Sequence, residues 1–243
     1  MGTLLNNLLS AWEKSQKKSF EQNRTCELCK REVFEGEYFC ERCRKKLPWN
    51  GEFVCPICGR KTFQGAGICS ECKARFPLFT RARAPFLYKD EIVGLIHAFK
   101  EEARYLCVAF GREMIALLPF FPRATLLVSV PMTEEKRKAR GFNQADLLAR
   151  YVADHSSLPY RSDLLLKEKE GEEQKGLTAK QRAKNVRGLF RVADKRACQG
   201  QGILLIDDVM TTGATANEIS RILIAAGATY VYLLTAACTP LRE

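Results

Sequence analysis

The sequence predicts an α/β protein in two parts, a small cysteine-rich module followed by a doubly wound parallel sheet. Three observations carry this reading. Four CxxC pairs crowd into residues 26–72, strand-like and helix-like segments alternate from about residue 80 onward, and the runs at 125–130 and 202–206 are continuously apolar. At 243 residues the chain holds one or two domains. It is 46% hydrophobic and 28% charged with only 9 Pro and 16 Gly, a globular balance that excludes a disordered or collagen-like chain. No run approaches the roughly 18 apolar residues of a membrane span. The first twenty residues have neither a basic stretch ahead of their apolar part nor a small-residue cleavage site. Asn6 stands where N-myristoylation needs Ser or Thr. A soluble, cytoplasmic protein is expected.

The cysteines come first in chain order. Eight of the eleven form the pairs Cys26/Cys29, Cys40/Cys43, Cys55/Cys58 and Cys69/Cys72. Residues 26–48 and 55–77 are a repeat at an offset of 29, in which Arg31 matches Arg60, Phe34 matches Phe63, Gly36 matches Gly65 and Pro48 matches Pro77. A unit of about 20 residues cannot bury a core of its own, so metal must supply the folding energy. Paired thiolates at this spacing are zinc ligands, kept from oxidising in a reducing compartment. The repeat favours one zinc per copy, Cys26, Cys29, Cys40 and Cys43, then Cys55, Cys58, Cys69 and Cys72. A cross-braced pairing of 26/29 with 55/58 fits the same spacing. Cys107, Cys198 and Cys238 read as small buried apolar residues. The module is assigned to 20–78.

After Pro77 the composition changes. Residues 83–88 read as a short strand. Residues 91–118 are helical in period, with Ile92, Leu95, Ile96 and Phe99 at i, i+3, i+4 and i+7, until Pro119 and Pro122 stop them. The apolar run 125–130, closed by Pro131, has the mark of a strand buried on both faces. A helix over 142–155 and a strand over 163–166 follow. Then come a buried strand at 202–206, a helix over 215–226 stopped at Gly227, and a last strand at 230–237. Strands alternating with helices mean a parallel sheet wound on both sides, assigned to 80–243.

Residues 202–215 read GILLIDDVMTTGAT. This is an apolar strand, two carboxylates at its end, a hydroxyl-rich loop with one Gly, and the start of a helix. Ligands of open α/β sheets bind just beyond the carboxyl ends of strands. A loop entering a helix presents free N–H groups to a phosphate. Thr211, Thr212 and Thr215 add hydroxyls, Gly213 allows close backbone approach, and Asp207 and Asp208 can bind sugar hydroxyls or magnesium. Neither a Walker A loop nor GxGxxG is present.

That order of residues resembles the phosphoribosyl pyrophosphate (PRPP) loop of type I phosphoribosyltransferases. A second stretch, VSVPMTEEKRKARGFNQA at 128–145, resembles the VPxP…R…RGFNQA segment of the ComF family. These are bacterial competence-associated, phosphoribosyltransferase-like proteins, and the C-type member carries an N-terminal cysteine cluster like this one. Gln174, Leu177, Arg182, Asn185 and Phe190 also fall where the family's pattern places them. The resemblance implies a type I phosphoribosyltransferase-like sheet behind the zinc module. It implies PRPP with magnesium on Thr211, Thr212, Gly213, Ala214 and Thr215, with Asp207 and Asp208 as catalytic carboxylates. Val130 and Pro131, running into Met132, become the pyrophosphate loop, and Arg137 and Arg140 candidate phosphate clamps. Lys100 reads equally as a phosphate contact or as part of a solvated helix face. In the resembling enzymes a nucleophile displaces pyrophosphate from C1 of PRPP through an oxocarbenium-like transition state. Charge neutralisation on the leaving group then matters more than a covalent nucleophile.

Charge supports a second reading. The formal net charge is +11, with 14 basic and 9 acidic residues in 1–80 and 25 and 19 in 81–243. Two four-thiolate zinc sites lower the total to +7 and leave the excess in the second part, which suits a polyanionic partner or a phosphorylated substrate. Between Gln174 and Ala193 stand Lys175, Lys180, Arg182, Lys184, Arg187 and Arg191 without an acidic residue, and Lys136, Arg137, Lys138 and Arg140 form another cluster. Such clusters suit a sugar-phosphate backbone, and Phe142 and Phe190 either stack on single-stranded bases or belong to the core. His97 and His155 read as capping or surface groups, so no general base is identifiable. Two functions follow. One is a PRPP-binding protein of the ComF type acting in DNA uptake during natural transformation, with turnover as a phosphoribosyltransferase left open. The other is a non-catalytic adaptor that binds single-stranded DNA and uses the zinc module to dock a competence helicase (ComFA-type). Leu4, Leu5, Leu8, Leu9 and Trp12, at helical spacing, suit a docking helix or packing on the zinc module.

Overall fold

The computed structural model describes residues 25–34, 36–65, 67–170 and 185–241. It begins with two copies of one small unit. In each, a CxxC turn folds back on itself, with Cys26 N–H donating to Arg31 O at 2.7 Å and Cys55 N–H to Arg60 O at 2.9 Å. In each, the third cysteine caps a single helical turn, α1 (Glu41–Arg44) behind Cys40 and α2 (Ser70–Ala74) behind Cys69. The 29-residue offset of the sequence is therefore an offset of structure.

The second part runs β1 (Arg81–Arg83), β2 (Phe86–Leu87), α3 (Glu91–Glu101), α4 (Leu106–Ile115), β3 (Leu126–Ser129), α5 (Glu134–Arg140), α6 (Gln144–Asp154), β4 (Leu165–Lys167), β5 (Phe190–Val192), β6 (Gly202–Met210), α7 (Ala214–Ala225) and β7 (Tyr230–Cys238). Among the described residues β1, β2, β3, β6 and β7 form one wholly parallel sheet. β6 and β7 are its centre, β3 lies beyond β6, and β1 and β2 share the outer edge of β7. The register pairs Leu126 with Ile203 and Ser129 with Ile206, so β3 ends beside the middle of β6. Val130 N–H donates to Ile206 O at 2.9 Å, which brings the loop after β3 against the two aspartates.

Alternation along the strands builds two cores. Leu126, Val128, Ile203, Leu205, Val231 and Leu233 face one core, closed by Ile219 and Leu223 of α7 and by the second zinc unit through Cys55, Ile57, Cys58, Cys69 and Cys72. Leu127, Leu204, Ile206, Tyr232 and Leu234 face the other, closed by α3, α4 and α6 and by Tyr38, Phe39 and Leu47 of the first unit. A parallel strand apolar on both sides needs two covers, and each zinc unit completes one of them.

Five elements depart from the sequence reading. The strand expected over 83–88 is two short strands, β1 and β2, separated by residues 84–85. The helix expected over 91–118 breaks after Glu101, where Glu102 and Ala103 N–H both close on Ala98 O at 3.0 and 2.9 Å. The apolar stripe Ile92–Ile96–Phe99 would continue onto Glu102, a carboxylate that stays at the surface, so the chain turns and restarts with a different buried face. The strand at 163–166 is no member of the parallel sheet. Leu165–Lys167 pairs antiparallel with Phe190–Val192, and its buried-then-exposed alternation is that of a strand covered on one face. The strand at 202–206 continues to Met210, so both aspartates are strand residues. α5 stands where only a charge cluster was read. Thr133 caps its start, Glu134 and Glu135 occupy its first turn, and Gly141 ends it in the left-handed conformation.

One glycine shows how differently the two zinc units are mounted. Lys30 and Gly59 are repeat equivalents and share a left-handed backbone, with φ of 57° and 67°. A Cβ on Gly59 would lie 2.2 Å from Ala82 O, because the second unit docks directly on β1, with Ala82 N–H donating to Ile57 O at 2.6 Å. Glycine is thus required by the docking and not by the turn. Gly59→Ala is expected to cost about 3 kcal/mol of unfolding free energy, whereas Lys30→Gly should stay within about 1 kcal/mol of wild type. Denaturant titration of the two variants measures both, and equal effects would refute the asymmetry.

Candidate functional site

The zinc ligands converge within each copy. Cys26, Cys29, Cys40 and Cys43 form one cluster and Cys55, Cys58, Cys69 and Cys72 the other, with the sulfurs of each within 4.8 Å of one another. This excludes the cross-braced pairing. Cys29 and Cys40 Sγ are 3.6 Å apart and Cys58 and Cys69 Sγ 3.7 Å, against about 3.8 Å between the sulfurs of a tetrahedral zinc site. Burial disfavours the Cys26 thiolate, but amides of Cys29, Cys40 and Leu28 outweigh it and bring the thiol down to about 6. Cys55 is brought to about 7 against its burial by the amides of Cys69, Cys58 and Ile57. Burial, and then the neighbouring cysteines, push Cys43 and Cys72 up to about 12. Each cluster thus holds one thiol that ionises readily beside another that resists, and a divalent cation would hold the latter as a thiolate. The residues therefore fit two zinc ions. The first site lies at the surface, with Cys29 exposed and Cys40 half-buried; all four cysteines of the second are buried.

At the far end of β6 the chain assembles a second kind of site. Asp207 and Asp208 are the sixth and seventh residues of the strand, followed by a turn through Thr211, Thr212 and Gly213 into α7. Gly213 caps the helix in the left-handed conformation, φ 75°, which spares the turn the cost of a side chain there. The first amides of α7 have no partner in the helix. Thr212 Oγ1 accepts from Ala214 N–H at 3.3 Å. Burial, and then the adjacent Asp208 carboxylate, hold Asp207 well above the ordinary carboxylate range. Two neighbouring carboxylates, one of them resisting ionisation, gain from a cation beside them, and this donor set fits magnesium.

Lys100 joins this site. It sits in the last turn of α3, and its Nζ lies 2.9 Å from Asp208 Oδ2. The Arg140–Ala145 stretch holds that arrangement together. Gly141 ends α5, Phe142 is buried under the Arg104 guanidinium at 4.5 Å, and Asn143 caps α6 while donating from Nδ2 to Val130 O at 3.0 Å. Gln144, itself buried, donates from Nε2 to Lys100 O at 3.2 Å. The motif therefore ties the loop after β3 and the end of α3 to one helix start. Asn143 and Gln144 were not singled out as site residues from sequence, although their place in the motif was the available signal.

Other expected residues fare differently. Val130 and Pro131 do open the loop beside Asp207. Arg137 is exposed and forks onto Glu134 at 2.9 and 3.0 Å, and Arg140 donates to Gln144 Oε1 at 2.8 Å. Thr133 and Lys136 are held by Glu170, whose carboxyl is brought to about 2 against its burial by Lys167, Thr133 and Lys136. Phe142 and Phe190 are buried and belong to the core. Lys175, Lys180, Arg182, Lys184, Gln174 and Leu177 lie outside the described residues, as do Leu4, Leu5, Leu8, Leu9 and Trp12. Arg187 is described and exposed, and Arg191 pairs with Glu168 at 2.6 Å. His97 meets Tyr88 Oη at 3.2 Å and His155 meets Tyr151 O at 2.8 Å, both structural contacts. Cys107, Cys198 and Cys238 are buried.

Fold and sites together define a class: a parallel α/β sheet with an Asp-Asp strand end and a threonine-rich turn, covered in part by two four-cysteine zinc units. Residues 23–81 match the double zinc ribbon domain family. The chain is 36% identical over 98 residues to Competence protein F of Haemophilus influenzae, 40% of this chain and 43% of that protein. It is 29% identical over 151 residues to DNA utilization protein YhgH of Escherichia coli, 59% of this chain and 66% of that protein. It is 34% identical over 102 residues to Competence protein ComFC of Bacillus subtilis, 42% of this chain and 39% of that protein. The chain thus matches between two fifths and two thirds of the length of these relatives. Similar solved structures include the glutamine PRPP amidotransferase of B. subtilis (22% identity, 51% of this chain and 25% of that chain, TM-score 0.35). Another is the adenine phosphoribosyltransferase of Leishmania donovani (18% identity, 65% and 61%, TM-score 0.36). The chain is a ComF-type protein with an N-terminal zinc module. Among the described residues no helix is long and apolar enough to cross a membrane.

The unequal burial of the two zinc units sets an expectation for metal loss. Wild type should carry two zinc ions per chain, and Cys29→Ser and Cys58→Ser one each. Cys58→Ser should lose at least about 3 kcal/mol of stability because its cluster is part of a sheet core, and Cys29→Ser clearly less. Metal analysis with thermal unfolding checks both, and the reverse order would refute the account.

Proposed function

We propose that the chain binds PRPP with magnesium at the end of β6 and serves DNA uptake and use in natural transformation. The observation that carries the first half is one continuous arrangement: Asp207 and Asp208 on the strand, the 211–213 turn into the α7 N-terminus, and Lys100 on Asp208. The turn supplies amides and hydroxyls for the 5′-phosphate, and Asp207 and Asp208 accept hydrogen bonds from the ribose hydroxyls. The loop at Val130 and Pro131 faces the pyrophosphate, beside Lys100. Asp207 and Asp208 would hold magnesium, which would supply charge neutralisation on the pyrophosphate. As a phosphoribosyltransferase the chain would let an acceptor displace pyrophosphate from C1, helped by Lys100. Both histidines are engaged in structural contacts, so an acceptor that loses a proton on attack must carry its own base.

The names of the relatives support the second half, as two are competence proteins and one a DNA utilization protein. Contact with single-stranded DNA draws support from an observation other than the one first expected. The most exposed aromatics among the described residues are the repeat-equivalent Phe34 and Phe63, which follow exposed basic residues in sequence, Lys30 and Arg31 in one unit and Lys61 in the other. A competence helicase remains the proposed protein partner of the zinc module.

Calorimetric titration of PRPP with magnesium tests the reading. Wild type should bind saturably, and Asp208→Ala and Thr212→Ala should each weaken binding at least about tenfold, the loss of one charge-assisted contact. No saturable binding by wild type at millimolar ligand would overturn the PRPP assignment and leave DNA handling as the function.

A further inference from the structure

Arg31 and Arg60 occupy the same place in the two copies of the zinc unit, and each accepts the first cysteine's amide through its carbonyl. Their side chains do opposite things. Arg31 is exposed, whereas Arg60 is 4% exposed and sits between the second zinc cluster and the turn after β6. Its Nη1 donates to Glu71, which lies between the ligands Cys69 and Cys72, and its Nη2 donates to the carbonyl of Thr211. Its Nε is buried and has no partner among the described residues, a cost that the rest of the contact must outweigh.

Other groups hold the turn and the start of α7 as well. Thr239 Oγ1 donates to the Thr211 carbonyl at 3.0 Å. Leu78 N–H, at the exit from the zinc module, donates to Asn217 Oδ1 at 2.6 Å. Phe79 lies 3.7 Å from where a Cβ on Gly213 would be. An amide-lined turn recognises a phosphate only when its N–H groups point the same way, and this requires the carbonyls to be fixed on the other side. Arg60 does that for Thr211.

We propose that Arg60 is a positioning residue which couples the second zinc centre, and not the first, to the shape of the 211–215 turn. Zinc holds the short helix carrying Glu71, Glu71 aligns the guanidinium, and the guanidinium fixes the Thr211 carbonyl. Loss of this one metal ion would loosen the turn while β6 itself stays paired. The consequence for PRPP rests on the function proposed above; the coupling itself does not.

Hydrogen exchange on the full chain, read over 208–216 against 203–207, tests it in Arg60→Leu, with Arg31→Leu as the control and zinc content measured in each. With two zinc ions retained, Arg60→Leu should raise exchange at least about tenfold in 208–216 only, and Arg31→Leu should raise neither. If Arg60→Leu sheds its metal, Arg60→Lys, which keeps the charge but cannot reach Glu71 and Thr211 together, decides by the same reading. Unchanged exchange in a variant retaining both zinc ions overturns the proposal, and so does an equal rise in both segments. PRPP titration separates the two ideas. A local rise in exchange with no PRPP binding by wild type sinks the ligand assignment and leaves the coupling. Wild-type binding that Arg60→Leu does not weaken, with unchanged exchange, sinks the coupling alone.

Discussion

β6 and β7 are apolar on both faces for most of their nine residues, and water must be kept from both sides at once. On one side three helices nearly suffice. On the other, among the described residues, α7 and the antiparallel pair β4–β5 leave room that the second zinc unit fills with Ile57 and its own cysteines. A unit of about 20 residues has too little surface to fold alone, and the sheet has too little helix to cover itself. Each supplies what the other lacks. The metal site is therefore part of the hydrophobic core of the α/β part, and the carboxyl end of β6 inherits its neighbours from that arrangement.

Polar groups placed in the same core have few choices, and this shapes the site. Gln144 is buried, and so must find partners; it finds the Lys100 carbonyl and the Arg140 guanidinium. Asn143 caps a helix and spends its remaining amide on Val130 O. Two loops and a helix end, far apart in sequence, are brought into register by side chains that touch no ligand in the proposed reading. Arg140 belongs with this group: its guanidinium serves the joint, and Arg137 serves Glu134 on an exposed helix face.

What was legible in the sequence was local. A CxxC repeat at a fixed offset, an apolar run leading into Asp-Asp, and a Thr-Thr-Gly turn ahead of a helix all keep their meaning without tertiary contacts, and the structure has each of them, with the strand extended through the aspartates to Met210. α5 was legible too, since Thr133, Glu134, Glu135 and Gly141 are ordinary helix-end signals, but the run of four cations within it read as a surface for nucleic acid. Lys100 was legible only as one of two alternatives. Its helical position allowed a solvated face, and only the break after Glu101 with the parallel register of β6 places it on Asp208. The difference between Arg31 and Arg60 is the clearest limit. The two have the same local sequence frame and the same backbone role, and only the approach of Ala82 and Thr211 makes one of them a buried bridge. Gly59 in place of Lys30 was the one local hint that the second copy is pressed against something.

The ion pair at the centre of the proposed site has a consequence for what can enter it. Lys100 is paired with one of the two carboxylates, so a ligand of either sign that engages this site has to break that pair. A cation alone must displace Lys100, and a polyphosphate alone must approach two carboxylates. A ligand carrying its own divalent cation avoids both penalties, because Asp207 and Asp208 can turn to the cation while Lys100 turns to a phosphate oxygen. In the proposed reading, selectivity for a metal-complexed polyphosphate would follow from the pairing of one lysine with one aspartate, and the shape of the neighbouring turn would decide which phosphate ester the site accommodates.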